Sequence, residues 1–194
     1  MELMVAGLIV FLGVHSVRVF AEPLRARAIA RLGEMPWKGA YALLSLAGFA
    51  LLVYGYGLAR QSPVVVWTPP RGMAHLAALL TLVSFVFLVA AYVPGNGIKA
   101  RLHHPMVLGV KVWALAHLLA NGLLHQTVLF GVFLVWAVFD FRAARRRDQD
   151  RLTFAPPRST VSTVVVLVLG TLLWVAFVAR LHLWLIGVSP MGSV

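Results

Sequence analysis

Six apolar runs, each ended by a cluster of proline, glycine or basic residues, divide the chain. The first covers residues 2–21 and stops at Glu22-Pro23, because proline disfavours helical backbone in the residue before it. A basic loop with Arg25, Arg27, Arg31 and Lys38 leads to a second run at 39–58, which closes on Arg60. The β-branched, proline-bounded segment 63–70 suits an interfacial connection, with Trp67 at headgroup depth. The third run, 73–93, meets Pro94-Gly95-Asn96-Gly97, the strongest turn signal present, since proline fixes φ while glycine and asparagine tolerate positive φ. A fourth run, 105–121, starts at a proline allowed in a first helical turn. Residues 122–126 then form a tight connection to a fifth run, 127–141, short enough to borrow residues from that connection. Arg142 to Arg158 and the Pro156-Pro157 stop precede a Val- and Leu-rich sixth run at 160–188, expected to touch lipid on several sides.

A transmembrane helix needs about 20 mainly apolar residues. The pattern therefore predicts an all-α, polytopic membrane bundle of about six transmembrane helices, forming one domain over 1–194. Composition agrees: of 194 residues 61% are hydrophobic and 12% charged, far from the mix of soluble domains. The first run lacks a basic start and a small-residue cleavage site, so it reads as a retained helix and not as a signal peptide.

The net charge of +11 would suit nucleic acid if the cations formed a patch, but they fall in short loops between apolar runs. There they set orientation. The first, third and fifth loops carry most of the Lys and Arg residues, while Arg60 and Arg71 stand alone on the opposite side. The positive-inside rule places the odd loops in the cytoplasm, with both termini periplasmic in a bacterial inner membrane. Nucleic acid is not expected as a partner; membrane lipid is.

Three cations, Arg18, Lys111 and Arg180, fall within or at the edges of the runs, where a charge costs roughly 2.5–3.5 kcal/mol. Arg180 is near enough to a helix end to snorkel. Arg18 shares a helix face with His15, and Lys111 shares its helix with His117; His117, Asn121 and His125 form a polar stripe at spacings of four. A membrane histidine can simply bond a backbone carbonyl. Two imidazoles facing each other from two helices can instead hold haem iron, with Arg18 and Lys111 pairing the propionates. Counting residues at ~1.5 Å each from the cytoplasmic side puts His15 at ~9 Å and His117 at ~18 Å, an offset larger than a ligand pair prefers. Snorkelling, or pairing with Asp140, is the plainer reading of the two cations.

His103 and His104 read as solvated loop residues, His75 and His125 as interfacial on the opposite face, and Asp140 as charge balance beside Arg142; His182 is given no role. The absence of cysteine excludes disulfides, iron–sulfur clusters and thiolate sites, and six carboxylates make a multi-carboxylate metal site unfavoured. No phosphate loop, GxSxG or HExxH motif is present. Any chemistry would come from a cofactor.

Several stretches, in order, resemble one family: Gly13-Val14-His15-Ser16-Val17-Arg18; Trp37-Lys38-Gly39-Ala40-Tyr41 with Leu44 to Phe49; Ala91-Tyr92-Val93-Pro94-Gly95-Asn96; and His104-Pro105, Gly109, Trp113, Ala116-His117 and Asn121-Gly122. Together they resemble the NnrU family, with the likeness strongest over 4–148 and little added by the last helix. The family takes its name from a link to nitrite and nitric oxide reduction, and is similar to the 15-cis-zeta-carotene isomerases, membrane proteins that bind haem b. The resemblance implies a haem b cofactor with His15 and His117 as iron ligands, the positions matching the isomerases' His-Ser and Ala-His motifs. It departs where those isomerases carry a cysteine three residues before the second histidine, since Ala114 stands here. That departure puts carotenoid isomerisation in doubt and leaves haem binding untouched.

Two functions of different class follow. One is a haem b protein doing redox chemistry or haem-dependent isomerisation, with His15 and His117 on the iron, Arg18, Lys111 and Asn121 around the cofactor, and a hydrophobic substrate or redox partner. The other is a cofactor-free assembly or partner protein for denitrification, using the arginine-rich fifth loop. Oligomeric state is not readable.

Overall fold

Lipid offers no hydrogen bonds to a polypeptide, so an apolar run of this length satisfies its backbone only by coiling into a helix. The computed structural model describes residues 1–149 and 159–190. Its helices are α1 (Glu2–Phe20), α2 (Glu22–Leu32), α3 (Glu34–Ala59), α4 (Met73–Tyr92), α5 (Gly97–Leu102), α6 (Pro105–Ala120), α7 (Leu124–Gln149), α8 (Thr160–Ala176) and α9 (His182–Ile186), with a π-helical turn, Phe177–Leu181, joining the last two. Five stretches are long and apolar enough to cross a membrane: α1, α3, α4, α7 and the continuous Thr160–Ile186. The shorter apolar α6 makes the sixth.

Three boundaries differ from expectation. The basic loop after the first span holds a helix of its own, α2, in which Pro23 occupies the first turn, where its missing N–H needs no partner. The next span starts five residues earlier than expected, at Glu34, after Gly33 at φ 88°. The fifth span is not short: α7 begins at Leu124 and continues through the first arginines to Gln149, since nothing in that stretch breaks a helix. The rest of the arginine-rich segment, 150–158, lies outside the described residues.

Packing runs in an arc. α3 lies against α1, α1 against α7, α7 against α6, α6 against α4, and α4 against α8. The α1–α3 pair is antiparallel and close, because glycine faces backbone at each crossing: a Cβ on Gly48 would stand 2.7 Å from the Phe11 nitrogen. Gly7 meets Leu52 and Gly55 meets Met4 even more tightly, which is how small residues hold membrane helices without a hydrophobic driving force. Between α4 and α6, the buried Ser84 hydroxyl donates to the Gly109 carbonyl at 2.8 Å. Trp174 of α8 donates to the Thr81 hydroxyl of α4 at 3.1 Å.

The turn after α4 is built by one amide. Asn96 is 1% exposed; its Nδ2 donates to the carbonyls of Ala90 (2.9 Å) and Val93 (2.6 Å). Its Oδ1 accepts from the Lys99 amide and caps α5. On the opposite side of the bundle, segment 63–70 runs beside the α6–α7 connection: the amides of Val66 and Trp67 donate to the Gly122 carbonyl, and Leu124 donates to that of Val64. Large apolar side chains such as Leu43, Phe49 and Val53 on α3 and Val161, Leu172 and Leu183 on α8–α9 stay exposed. Lipid accepts such faces without further cover.

Candidate functional site between α1 and α6

α1 and α6 both pack on α7 but have no more than marginal contact with each other. A cleft therefore remains between them, with α7 as its floor. It forms a cavity of about 830 Å³, within the range of small-molecule sites. α1 contributes Phe11, Val14, His15 and Arg18; α6 contributes Pro105, Met106 and Val110; α7 contributes Phe133, Trp136, Asp140 and Arg147. Arg25 of α2 and Lys38 and Tyr41 of α3 complete the wall.

The cavity changes character along its length. At the end formed by the helix termini it is charged: Arg25 pairs with Glu22 at 2.8 Å and Lys38 with Glu34 at 2.7 Å. Asp148 accepts from His104 Nε2 at 3.0 Å and lies 3.3 Å from His103 Nδ1. His103 holds a left-handed backbone, φ 64°, uncommon outside glycine. Both histidines thus do more than meet solvent in a loop, since they tie the α5–α6 corner to the far end of α7. The inner end is aromatic. His15 stands 4.3 Å from the Phe11 ring, 5.3 Å from Tyr41 and 6.2 Å from Trp136, centroid to centroid. The Trp136 indole nitrogen is buried with no hydrogen-bond partner among the described residues.

His15 Nδ1 lies 2.7 Å from the Phe11 carbonyl oxygen, and His117 Nδ1 lies 2.9 Å from that of Trp113. A carbonyl only accepts, so each Nδ1 carries a proton, which leaves Nε2 as the nitrogen available to a ligand. Metal-binding histidines show this second-shell arrangement. The same bond is also what a lone membrane histidine needs to satisfy itself, so it prepares ligation without demanding it.

The structure brings His15 and Arg18 together on the cavity and leaves the other three candidates off its wall. His117 lies two turns beyond Val110, the last α6 residue on the cavity wall, with its ring 4.5 Å from Phe130. Between the histidines runs a line of rings: Phe11 to Phe133 at 6.1 Å, Phe133 to Trp113 at 5.5 Å, and Trp113 to His117 at 5.2 Å. His15 is four residues past Phe11 on a helix running one way, and His117 four past Trp113 on a helix running the other. Each steps about 6 Å from the rings in opposite directions, so the two imidazoles are separated along the bundle axis as well as across it. Lys111 stands over the Phe141 ring, 4.8 Å from its centroid. Asn121 caps α6, its Nδ2 donating to the His117 carbonyl at 2.8 Å, while its own carbonyl accepts from the Trp67 indole at 3.2 Å.

His125, expected at the interface, is 1% exposed and packs edge-on against Tyr56 at 5.2 Å. Residue reading missed Phe11, Tyr41, Trp113, Phe133 and Trp136, because aromatic side chains in a span usually face lipid or fill space. Phe130, Phe133 and Trp136 recur every three residues along one side of α7, the signal that was there to use.

No group of three or more His, Asp or Glu side chains converges as a metal site among the described residues. A porphyrin brings its own four nitrogens, so one or two imidazoles suffice. The cavity lining fits that group with one ligand in place: His15 on the wall, aromatic rings beside it and cations at the open end, with His117 beyond the wall.

These features define a multi-pass helical membrane protein with a cleft between α1 and α6, aromatic within and basic at its mouth. Within that class the chain belongs to the NnrU family, whose model, described as NnrU protein, matches residues 3–190. The match extends through the last helix, well past the 4–148 over which the motifs are densest. Searches of curated proteins and of solved structures returned no match.

Proposed function

We propose that this NnrU protein binds haem b in the α1–α6 cleft, with His15 and His117 as the iron ligands. The observation that carries the reading is the matched pair of imidazoles: both Nδ1 protons are committed to a carbonyl one turn back, His15 lines the cavity, and His117 stands beyond its wall on α6, which packs on the same α7 helix as α1. His15 is the ligand on the cavity wall. His117 is the more distant candidate: it would reach the same iron only with the Phe133 ring out of its place between Phe11 and Trp113 and with α6 moved along α7 to close the offset.

Arg18 and Arg147 line the cavity and suit the propionates; the Arg147 guanidinium also touches the Arg18 carbonyl at 3.5 Å. The Trp136 N–H, without a partner, is a donor for an acceptor group brought in with a ligand. Bound haem supplies one-electron chemistry, or an open iron position for a small or hydrophobic substrate. The protein's part is to hold the ring, exclude water with Phe11, Tyr41 and Trp136, and set how firmly the second imidazole binds. A second ligand that must displace a phenyl ring is exchangeable, which favours substrate-linked redox chemistry or isomerisation over plain electron transfer. That agrees with the family's link to nitrite and nitric oxide reduction. The basic loops belong in the cytoplasm of a bacterial inner membrane by the positive-inside rule, and the cavity mouth lies on that side.

A pyridine haemochrome assay with oxidised and reduced absorption spectra tests the reading. Protein purified from haem-sufficient membranes is expected to give a b-type haemochrome and a Soret band. Absence of both is the behaviour of a cofactor-free assembly or partner protein and would overturn the proposal.

A further inference from the structure

We infer that Phe133 is the positioning residue that decides whether the cavity communicates with one imidazole or two. It is the only α7 side chain in ring contact with both walls of the cleft among the described residues, meeting Phe11 of α1 at 6.1 Å and Trp113 of α6 at 5.5 Å. Its ring stands at right angles to the indole of Trp113, an interplanar angle of 88°. The three rings, one from each helix, make a bar across the cleft. His15 lies on the cavity side of the bar and lines the cavity. The α6 side chains on the cavity wall end at Val110, one turn short of Trp113, and His117 is a further turn on.

The bar is movable at one point. Trp113 is braced by Phe130 at 5.1 Å and by the His117 ring at 5.2 Å. Phe11 is fixed between Phe49 at 5.9 Å and the close α1–α3 crossing at Gly48. Phe133 packs against the buried core of Met4, Leu8, Leu12 and Leu52 and also lines the cavity, so a rotamer change toward the cavity moves its ring without moving a helix. Rotation removes the middle of the bar and extends the cavity toward Trp113 and His117. Removing the ring by substitution should do the same permanently.

The part of the inference that concerns iron rests on the haem reading; the part that concerns access to His117 does not. The test separates them. Haem-free wild type, Phe133→Ala and Phe133→Trp, purified in detergent, are treated with diethyl pyrocarbonate, which acylates an accessible imidazole at Nε2, and the modified peptides are quantified by mass spectrometry. Modification of His15 should proceed at similar rates in all three. Modification of His117 should be slow in wild type, about fivefold or more faster in Phe133→Ala, and slow again in Phe133→Trp, which restores a ring. Equal His117 rates in wild type and Phe133→Ala, with His15 still reactive as a sign of a folded cavity, would overturn the inference. Haemin is then added to each protein. Phe133→Ala should show a larger low-spin fraction than wild type, and that extra fraction should vanish in Phe133→Ala/His117→Ala. If haemin binds with the same spin state in all variants, the control of iron ligation by Phe133 is refuted. If no variant binds haemin while the acylation pattern holds, the haem reading fails and the bar stands.

Discussion

The Lys111 ammonium stands 4.8 Å above the centre of the Phe141 ring of α7, whereas Arg18 lines the cleft. Two cations that look alike in sequence, each on the helix of a candidate ligand, thus have different surroundings. Lys111 is offset by a cation–π contact, about 0.5–2 kcal/mol depending on desolvation. Arg18 has no side-chain ion pair among the described residues and faces the cavity. Titration with haemin should therefore show Arg18→Gln weakened about tenfold, corresponding to ~1.4 kcal/mol. Lys111→Gln should stay within about twofold of wild type. The reverse order would mean that the acidic groups of the ligand lie on the α6 side.

The α1–α3 crossing supports the cleft wall that carries His15. Gly48 has no room for a methyl group, whereas Gly39 and Gly57 on the same helix have nothing within 4 Å of a built Cβ. Gly48→Ala should lower thermal stability in detergent by about 1–3 kcal/mol, the usual cost of overpacking. Gly57→Ala should be neutral or slightly stabilising, because alanine favours a helix over glycine. Equal effects at the two positions would show that the close approach is absent in the folded protein.

Asn96 makes three hydrogen bonds from a fully buried amide. Asn96→Ala leaves two carbonyls and one amide without their partner, at about 1 kcal/mol for each net bond and more where the orphan stays buried. Thermal unfolding should fall by at least ~2 kcal/mol, and Asn96→Asp, which keeps the acceptor that caps α5 but sets a carboxylate oxygen against the two carbonyls, should lose at least as much. A neutral Asn96→Ala would mean that Pro94 and Gly95 hold the corner unaided.

Hydropathy made the spans legible because lipid forces every long apolar run into a helix; the six runs and their order appear as read. What hydropathy could not show is how helices behave outside lipid. Pro23 marks the end of α1 and equally the first turn of α2, and the dense arginines of 25–31 masked a helix that buries nothing. The α7 extension past Phe141 is readable from Ala143 and Ala144 and from the lack of any breaker before Pro156, but a dense run of positive charge resembles a loop in hydropathy. At the site, burial of charge within apolar runs was enough to single out His15, Arg18, His117 and Lys111. Periodicity gives the face of a residue on its own helix and not the identity of the helix opposite. For that reason the cleft floor on α7, the bar through Phe133 and the partnership of Lys111 with Phe141 were out of reach.

The central claim is that His15, on the cavity wall, and His117, beyond it on α6, serve one haem. The most direct measurement is haem stoichiometry and spin state, by haemochrome and absorption spectra, in wild type, His15→Ala and His117→Ala purified side by side. His15→Ala should lose most of its haem, and His117→Ala should keep haem but lose the low-spin component of the wild-type spectrum. Wild-type haem content and an unaltered spectrum in both variants would contradict the account.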